Sequence, residues 1–289
     1  DNQVLIGRKA GRVAPHHDVA GLQHRAVDIG HVGTQRTPDL DRVRARYHGH
    51  AAVGHRPRLV IAAVEKLTGV SITAESLKTA IRTVKAKRAA VHRLSSLRKA
   101  DPAPISGLDA LLANQVFFYD NPTRFTQSVN TICDALERRI EAQEGVFPKN
   151  TPRVLVSGCP QAVPNWKLPM IVETAGAVIV GEESCVGERG TRDLTDDAGE
   201  TVEEMLDAIV DRYFQVDCAI FTPNPDRLKH IRDMVDAYKA DGVIHYGLQF
   251  CQPYLMEAIP VEKALEEMHI PCLRIETDYS MEDIGQLKT

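Results

Sequence analysis

The chain has 289 residues, room for about two ordinary domains, with 43% hydrophobic and 26% charged residues and a formal net charge of −4. It contains no run of about 18 apolar residues, which excludes a membrane-spanning helix, and its acidic balance gives no electrostatic footprint for nucleic acid or an anionic membrane. Six cysteines in a chain this long do not make a small disulfide scaffold, and no basic-then-apolar signal opens the sequence; a cytoplasmic protein whose thiols are free, metal-ligating or redox-active is expected.

The first 59 residues differ from the rest. They hold seven of the eleven histidines, nine arginines, Lys9 as their only lysine, and no Glu, Cys, Met, Phe or Trp. Their charges count +10 and −5, against +25 and −34 for the remainder. The stretch from Tyr47 to His55 shows neither a helical nor a strand period. Three readings stand side by side: a metal-binding tract using His48, His50 and His55, a disordered basic arm, or a segment read out of its natural frame. No function is assigned to these histidines.

From Val60 the pattern becomes regular. Val60 to Leu67 reads as a short helix stopped by Gly69. Thr73 is a candidate N-cap with Glu75 in the first turn, followed at helical spacing by Leu77, Ile81, Val84, Val91 and Leu94. The basic run Lys85, Lys87, Arg88 reads as the solvated face of that helix, which Asp101-Pro102-Ala103-Pro104 ends. Leu108 to Phe118 and Phe125 to Ile140 are two further helices, broken by Asp120-Asn121-Pro122. Residues 60–150 are thus a helical segment.

Over residues 151–289 the period changes. Short apolar runs at 154–156, 177–180, 242–246 and 271–275 alternate with helical stretches at 167–175, 202–214, 225–240 and 253–268. Continuous apolar strands alternating with helices predict an α/β domain with a parallel sheet covered on both faces. Asp217 to Phe221 reads equally as a fifth strand or as an irregular loop before Thr222-Pro223-Asn224-Pro225.

Functional groups in such sheets gather beyond the carboxyl ends of the strands. Cys159, Cys185 and Cys251 each lie a few residues past a predicted strand, where backbone N–H groups of turns and helix starts stabilise thiolates. Cys218 adjoins the proline-bounded loop and can fold over the same crevice. Cysteine is also a small, often buried hydrophobe, the reading preferred for Cys133 inside a helix and Cys272 at a strand start. The long spacings are unlike a ferredoxin's compact run, and a tetrahedral zinc site of four thiolates stays open. Glu183 and Arg189 flank Cys185; they suit an ordinary ion pair, with an anionic substrate or the charge of a metal group as the alternative partner of Arg189. His245, within a strand, reads as a hydrogen-bonded core histidine, and Trp166 and Tyr246 as packing residues.

Several blocks resemble one known family. They are Ser157-Gly158-Cys159-Pro160 with Asn165-Trp166-Lys167-Leu168-Pro169, Glu183-Ser184-Cys185-Val186-Gly187-Glu188-Arg189, Asp217-Cys218 through Pro225, and Asp241-Gly242 through Phe250-Cys251. With Glu276-Thr277-Asp278-Tyr279 and Gly285-Gln286-Leu287, they are similar to the double-cubane cluster proteins of the 2-hydroxyacyl-CoA dehydratase and benzoyl-CoA reductase family. The likeness runs from about Val60 to Thr289.

The resemblance implies two flavodoxin-like α/β domains, here a C-terminal one preceded by a helical segment and an incomplete or aberrant N-terminal domain. It also implies a homodimer and an iron–sulfur cluster in the cleft between the domains. An [8Fe-9S] double cubane takes about six thiolates, of which Cys159, Cys185, Cys218 and Cys251 would supply four. A [4Fe-4S] cluster, as in the dehydratase relatives, would use Cys251 and two cysteines of the N-terminal domain. Residues 1–59 contain no cysteine, so an incomplete site is expected, and relatives continue past the position of Thr289 into a final helix.

The implied activity is an iron–sulfur reductase fed with low-potential electrons by an ATP-hydrolysing activator and acting on a small-molecule substrate. A subunit of a 2-hydroxyacyl-CoA dehydratase or benzoyl-CoA reductase with one [4Fe-4S] cluster is the alternative within the family. A non-catalytic α/β scaffold subunit is the alternative outside it.

Overall fold

The structure is a computed structural model and describes residues 50–221 and 223–288, with the side chains of 50–56 left aside. The chain divides after Asp39 into two units, and every described residue belongs to the second. The histidine tract, with His48 and the side chains of His50 and His55, lies outside the described residues.

Helix α1 (His50–Thr68) begins ten residues before Val60 and passes through Pro57 and through the composition change at 59/60 without a break. It ends where expected, at Gly69, which adopts φ +70° and returns its N–H to the Glu65 carbonyl at 2.8 Å; glycine takes this left-handed cap at no steric cost. Helix α2 (Ala74–Leu97) opens on a reciprocal cap, the Thr73 side chain accepting from Ser76 N–H and the Ser76 side chain from Thr73 N–H. Ser106 caps α3 (Gly107–Val116). Asn121 caps α4 (Pro122–Glu141), where Pro122 occupies the first turn and costs no hydrogen bond.

These helices enclose a core of Ala90, Val91, Leu94, Ile105, Ala110, Phe125, Val129 and Leu136, which contains Cys133. One expectation fails here. Lys87 and Arg88 are buried, not solvated: Lys87 donates its ammonium to the Phe117 carbonyl and lies 4.2 Å from the Phe117 ring centre, a cation–π contact. Lys85 pairs with Asp197. A basic stripe on one helix reads as solvated until another helix packs over it.

The remaining chain builds a four-stranded, all-parallel sheet in the order β2-β1-β3-β4. The strands are β1 (Arg153–Gly158), β2 (Val178–Glu183), β3 (Gly242–Leu248) and β4 (Cys272–Thr277). Helix α5 (Lys167–Thr174) joins β1 to β2, and α6 (Glu188–Thr191), α7 (Val202–Phe214) and α8 (Pro225–Tyr238) lead to β3. Helix α9 (Gln252–Glu266) leads to β4, and α10 (Ile284–Leu287) follows it. Alternate strand residues point to opposite faces. Leu155, Val178, Val180 and Val243 pack on Ile231, Met234 and Val235 of α8 and Val261 and Leu265 of α9. Val156, Ile179 and Ile244 pack on Leu168 and Val172 of α5. The fold is the expected α/β class, and residues 217–221 form a turn rather than a fifth strand.

Buried arginines fasten the helical layer to the sheet. Arg98, at the end of α2, grips Glu182 of β2 through both carboxylate oxygens at 2.5 and 2.8 Å and the Ile179 carbonyl at 2.9 Å. Arg153 donates to the carbonyls of Tyr238, Ala100 and Arg98. Five donors in a rigid fork satisfy several carbonyls that packing alone would strand.

Candidate functional site

With β2 on one side of β1 and β3 on the other, the crossover from β1 to β2 and the one from β2 to β3 run in opposite directions, and the strand order reverses between β1 and β3. In open parallel sheets that point, outside the carboxyl ends, is where ligands bind. Cys159 follows β1 directly and Cys251 lies just past β3, so the two flank it.

Gly158 makes the first of these placements. It adopts φ +119° and lies against Tyr246 of β3, its register partner, so closely that a Cβ would collide with the Tyr246 backbone. The chain then turns so that Cys159 N–H bonds the Tyr246 carbonyl at 2.9 Å. The Cys159 sulfur accepts from the Leu248 N–H at 3.3 Å, and the Leu248 carbonyl accepts from Cys251 N–H at 2.9 Å, so the two cysteines lie on either side of one peptide residue. Burial pushes the Cys159 thiol up to about 12, against the pull of the Leu248 amide; a bound metal group would have to displace that proton. Cys251 occupies the N-cap of α9.

The other two expected cysteines approach through a buried network. Glu183, the last residue of β2, is 0% exposed and shared between Arg189 and Arg227, themselves 0% exposed. Its carboxylate accepts from Arg189 Nε at 2.7 Å, from Arg227 Nη2 at 3.0 Å and from Ser157 Oγ at 2.7 Å. Burial pushes the Glu183 carboxyl up, but the two guanidinium charges outweigh it and hold the group down to about 2. Arg227 also reaches Glu257 at 3.2 Å.

Arg189 in turn points Nη1 at Cys185 Sγ, 3.8 Å away, and donates from the same nitrogen to the hydroxyl of Tyr254. That hydroxyl lies 4.0 Å from Cys218 Sγ. The turn bearing Cys218 is pinned by Asn224, whose side-chain amide donates to the carbonyls of Asp217 and Cys218 at 3.2 and 2.9 Å. Arg192 braces Asp217 from the other side at 3.1 Å.

The structure therefore places Cys159 and Cys251 on either side of Leu248, and Cys185 and Cys218 on either side of the Arg189–Tyr254 pair. Cys133 is sealed in the helical core and Cys272 starts β4 at the opposite edge, burial pushing both thiols up to about 11. Glu183 and Arg189 are tied to each other, the ion pair that their flanking of Cys185 suggested. Tyr246 is packed in the core and its hydroxyl accepts from Asn165 at 2.6 Å. Lys167, of the Asn165-Trp166-Lys167 block, buries its ammonium against Thr277, Ser280 and Asp283, and so ties the segment after β4 to the start of α5.

His245 is a buried core residue. Its Nε2–H donates to the Tyr254 carbonyl at 3.0 Å, while Nδ1 finds no protein partner. Burial pushes it down from 6.5 to about 4, the Tyr254 carbonyl pulling weakly the other way. The unfolded chain therefore takes up this proton first, and stability falls as pH drops from 6.5 towards 4, by about 3 kcal/mol over that interval. Urea unfolding at pH 7 and pH 4 should show this loss in the native chain and that much less of it in His245→Gln. Equal losses in the two would contradict the assignment.

Reasoning from sequence missed Arg227, Tyr254, Ser157 and Asn224. Tyr254 carried one usable signal, since it lies three residues after Cys251 at a helix start and so shares its face. Arg227 carried none.

The donor set decides what the cleft can hold. Thiolates sharing one zinc ion lie about 3.8 Å apart in a tetrahedron. Among the described residues no three His, Cys, Asp or Glu side chains gather round one such point, so the tetrahedral zinc arrangement is not formed. Four thiols lie beyond this sheet edge, two of them beside Arg189 and the tyrosine it holds, and a thiolate-ligated group larger than one metal ion would have to draw on all four.

A family model described as 2-hydroxyglutaryl-CoA dehydratase, D-component, matches residues 44–289. The chain is 33% identical over 231 residues to YjiM of Escherichia coli (strain K12), provisionally named a dehydratase subunit, covering 78% of this chain and 58% of that one. It is 27% identical over 233 residues to the (R)-phenyllactyl-CoA dehydratase beta subunit of Clostridium sporogenes, covering 80% and 59%. To the (R)-2-hydroxyglutaryl-CoA dehydratase subunit beta of Acidaminococcus fermentans it is 24% identical over 233 residues, covering 78% and 58%. The chain thus spans a little under three fifths of the length of these relatives.

Proposed function

This chain belongs to the 2-hydroxyglutaryl-CoA dehydratase D-component family, and from that premise we propose that it is the iron–sulfur component of a reductive enzyme of the double-cubane type. In this reading Cys159, Cys185, Cys218 and Cys251 are ligands of an [8Fe-9S] cluster completed by two further thiolates. The observation that carries it is Leu248 at the end of β3, whose N–H bonds Cys159 Sγ at 3.3 Å and whose carbonyl accepts from Cys251 N–H at 2.9 Å, with Cys185 and Cys218 on the Arg189–Tyr254 pair. Such a group supplies low-potential electrons, here received from an ATP-hydrolysing iron–sulfur activator and delivered to a small substrate; the working unit is a homodimer.

The chain's own residues do the rest. Gly158 lets β1 and β3 approach so that two thiols share one crevice. The Leu248 amide offers a donor to sulfur. Glu183 fixes Arg189, whose charge offsets that of the thiolates beside it. Cluster charge, hydrogen bonds to sulfur and exposure together set the potential.

A second reading is a beta-type subunit of a 2-hydroxyacyl-CoA dehydratase, in which Cys251 helps hold one [4Fe-4S] cluster. The names of the Clostridium and Acidaminococcus relatives favour it. Iron and acid-labile sulfide per chain, measured on protein reconstituted without oxygen, separate the two. About eight irons per chain are expected for the double cubane and about four for the single cluster, and Cys251→Ser should lower either value. A value near zero would overturn both.

A further inference from the structure

Arg189 holds two of the four thiols, and it reaches the second through another residue. The Tyr254 hydroxyl oxygen already accepts from Arg189 Nη1. Its own proton, which a phenol keeps at neutral pH, then needs an acceptor, and the hydroxyl's other neighbour is Cys218 Sγ at 4.0 Å. A ligating cysteine is a thiolate and carries no proton, so in that state the phenol must be the donor.

The ring is held for this task. Tyr254 is 6% exposed, and the guanidinium carbons of Arg189 and Arg227 lie 5.2 and 5.3 Å from its ring centre, a cation–π arrangement that fixes its position. A cation donating to the phenol oxygen makes its O–H a stronger donor.

Building on the cluster reading above, we infer that Tyr254 is a positioning residue that transmits the Arg189 charge to Cys218 as an O–H···S hydrogen bond, while Arg189 acts on Cys185 directly. One buried cation thereby stabilises two sulfurs on separate segments, one beyond β2 and one between α7 and α8. A hydrogen bond to a ligating sulfur favours the more negative, reduced state, so the unit raises the reduction potential of whatever the thiols hold.

The test is a redox titration of the anaerobically reconstituted chain, with iron measured on each sample. Tyr254→Phe keeps the ring and both cation–π contacts and removes only the hydroxyl. At unchanged iron content its midpoint potential should move to a more negative value, and the Fe–S stretching bands should lose part of the shift that deuterium oxide produces in the native protein. Placing 3-fluorotyrosine at position 254 preserves shape and strengthens the donor, and its midpoint should move the opposite way. A packing role would not give shifts of opposite sign. Midpoints equal to native in both variants, with iron retained, would overturn the inference alone; a native chain that holds no iron would overturn it together with the cluster reading.

Discussion

Glu183→Gln is expected to cost about 3–5 kcal/mol of folding stability, the range for removing one partner from a buried ion pair. The carboxylate lies between Arg189 and Arg227, all three side chains being fully buried. Glutamine nearly matches its shape but leaves Arg227 with Glu257 alone and Arg189 with only Asp217, 3.9 Å away, and turns an NH2 group towards one of them. The depression of Glu183 from 4.5 to about 2 corresponds independently to about 3 kcal/mol. Its sign follows from linkage: the contribution is complete above pH 4.5 and fades as pH falls towards 2. Denaturant unfolding at pH 7 measures the loss, and a cost below about 1 kcal/mol would contradict the shared-carboxylate arrangement. The double variant Glu183→Gln/Arg189→Met should recover part of the loss, because one of the stranded charges is then gone.

The second large effect is expected at Gly158. Its φ of +119° is left-handed, and an added Cβ would meet the carbonyl oxygen, carbon and nitrogen of Tyr246 rather than a movable side chain. Strand β1 cannot give way without losing its register with β3. Gly158→Ala should therefore cost about 2–4 kcal/mol, from backbone strain together with overpacking. It should also expose the next residue. Cys159 is 2% exposed and should resist alkylation in the native chain, but become modified in Gly158→Ala under conditions that leave Cys133 protected. Unchanged stability together with an unreactive Cys159 would contradict the close approach of the two strands.

How much of this was legible beforehand depended on how local each cause is. Thr73, Asn121 and Gly69 end or start helices through bonds within four residues, and each does what its type suggests. The strands were legible as apolar runs, although β2 extends to two carboxylates, Glu182 and Glu183, that hydropathy would place outside. Both are buried because each has an arginine of its own, Arg98 for one and Arg189 for the other. Lys87 and Arg88 went the other way: their helical spacing was right, but Phe117 covers Lys87 and Arg88 is buried as well. The Asp217–Phe221 stretch had strand-like residues and became a turn, with Asn224 bonding two of its carbonyls.

The sequence by itself determined the fold class, the order of helices and strands, and the appearance of Cys159, Cys185 and Cys251 just beyond strand ends. In a parallel sheet all carboxyl ends share one edge, so strand periodicity alone carries residues to that edge. Only the tertiary structure decided which thiols meet and what charge stands behind them. Cys159 and Cys251 are neighbours because β1 pairs with β3 rather than β4, a choice made by long-range packing. Arg227 and Tyr254 enter the site from 44 and 65 residues beyond their partners Glu183 and Arg189, a separation across which no periodicity survives. Burial then converts these meetings into chemistry, since a charge removed from water must find its counter-charge in the fold.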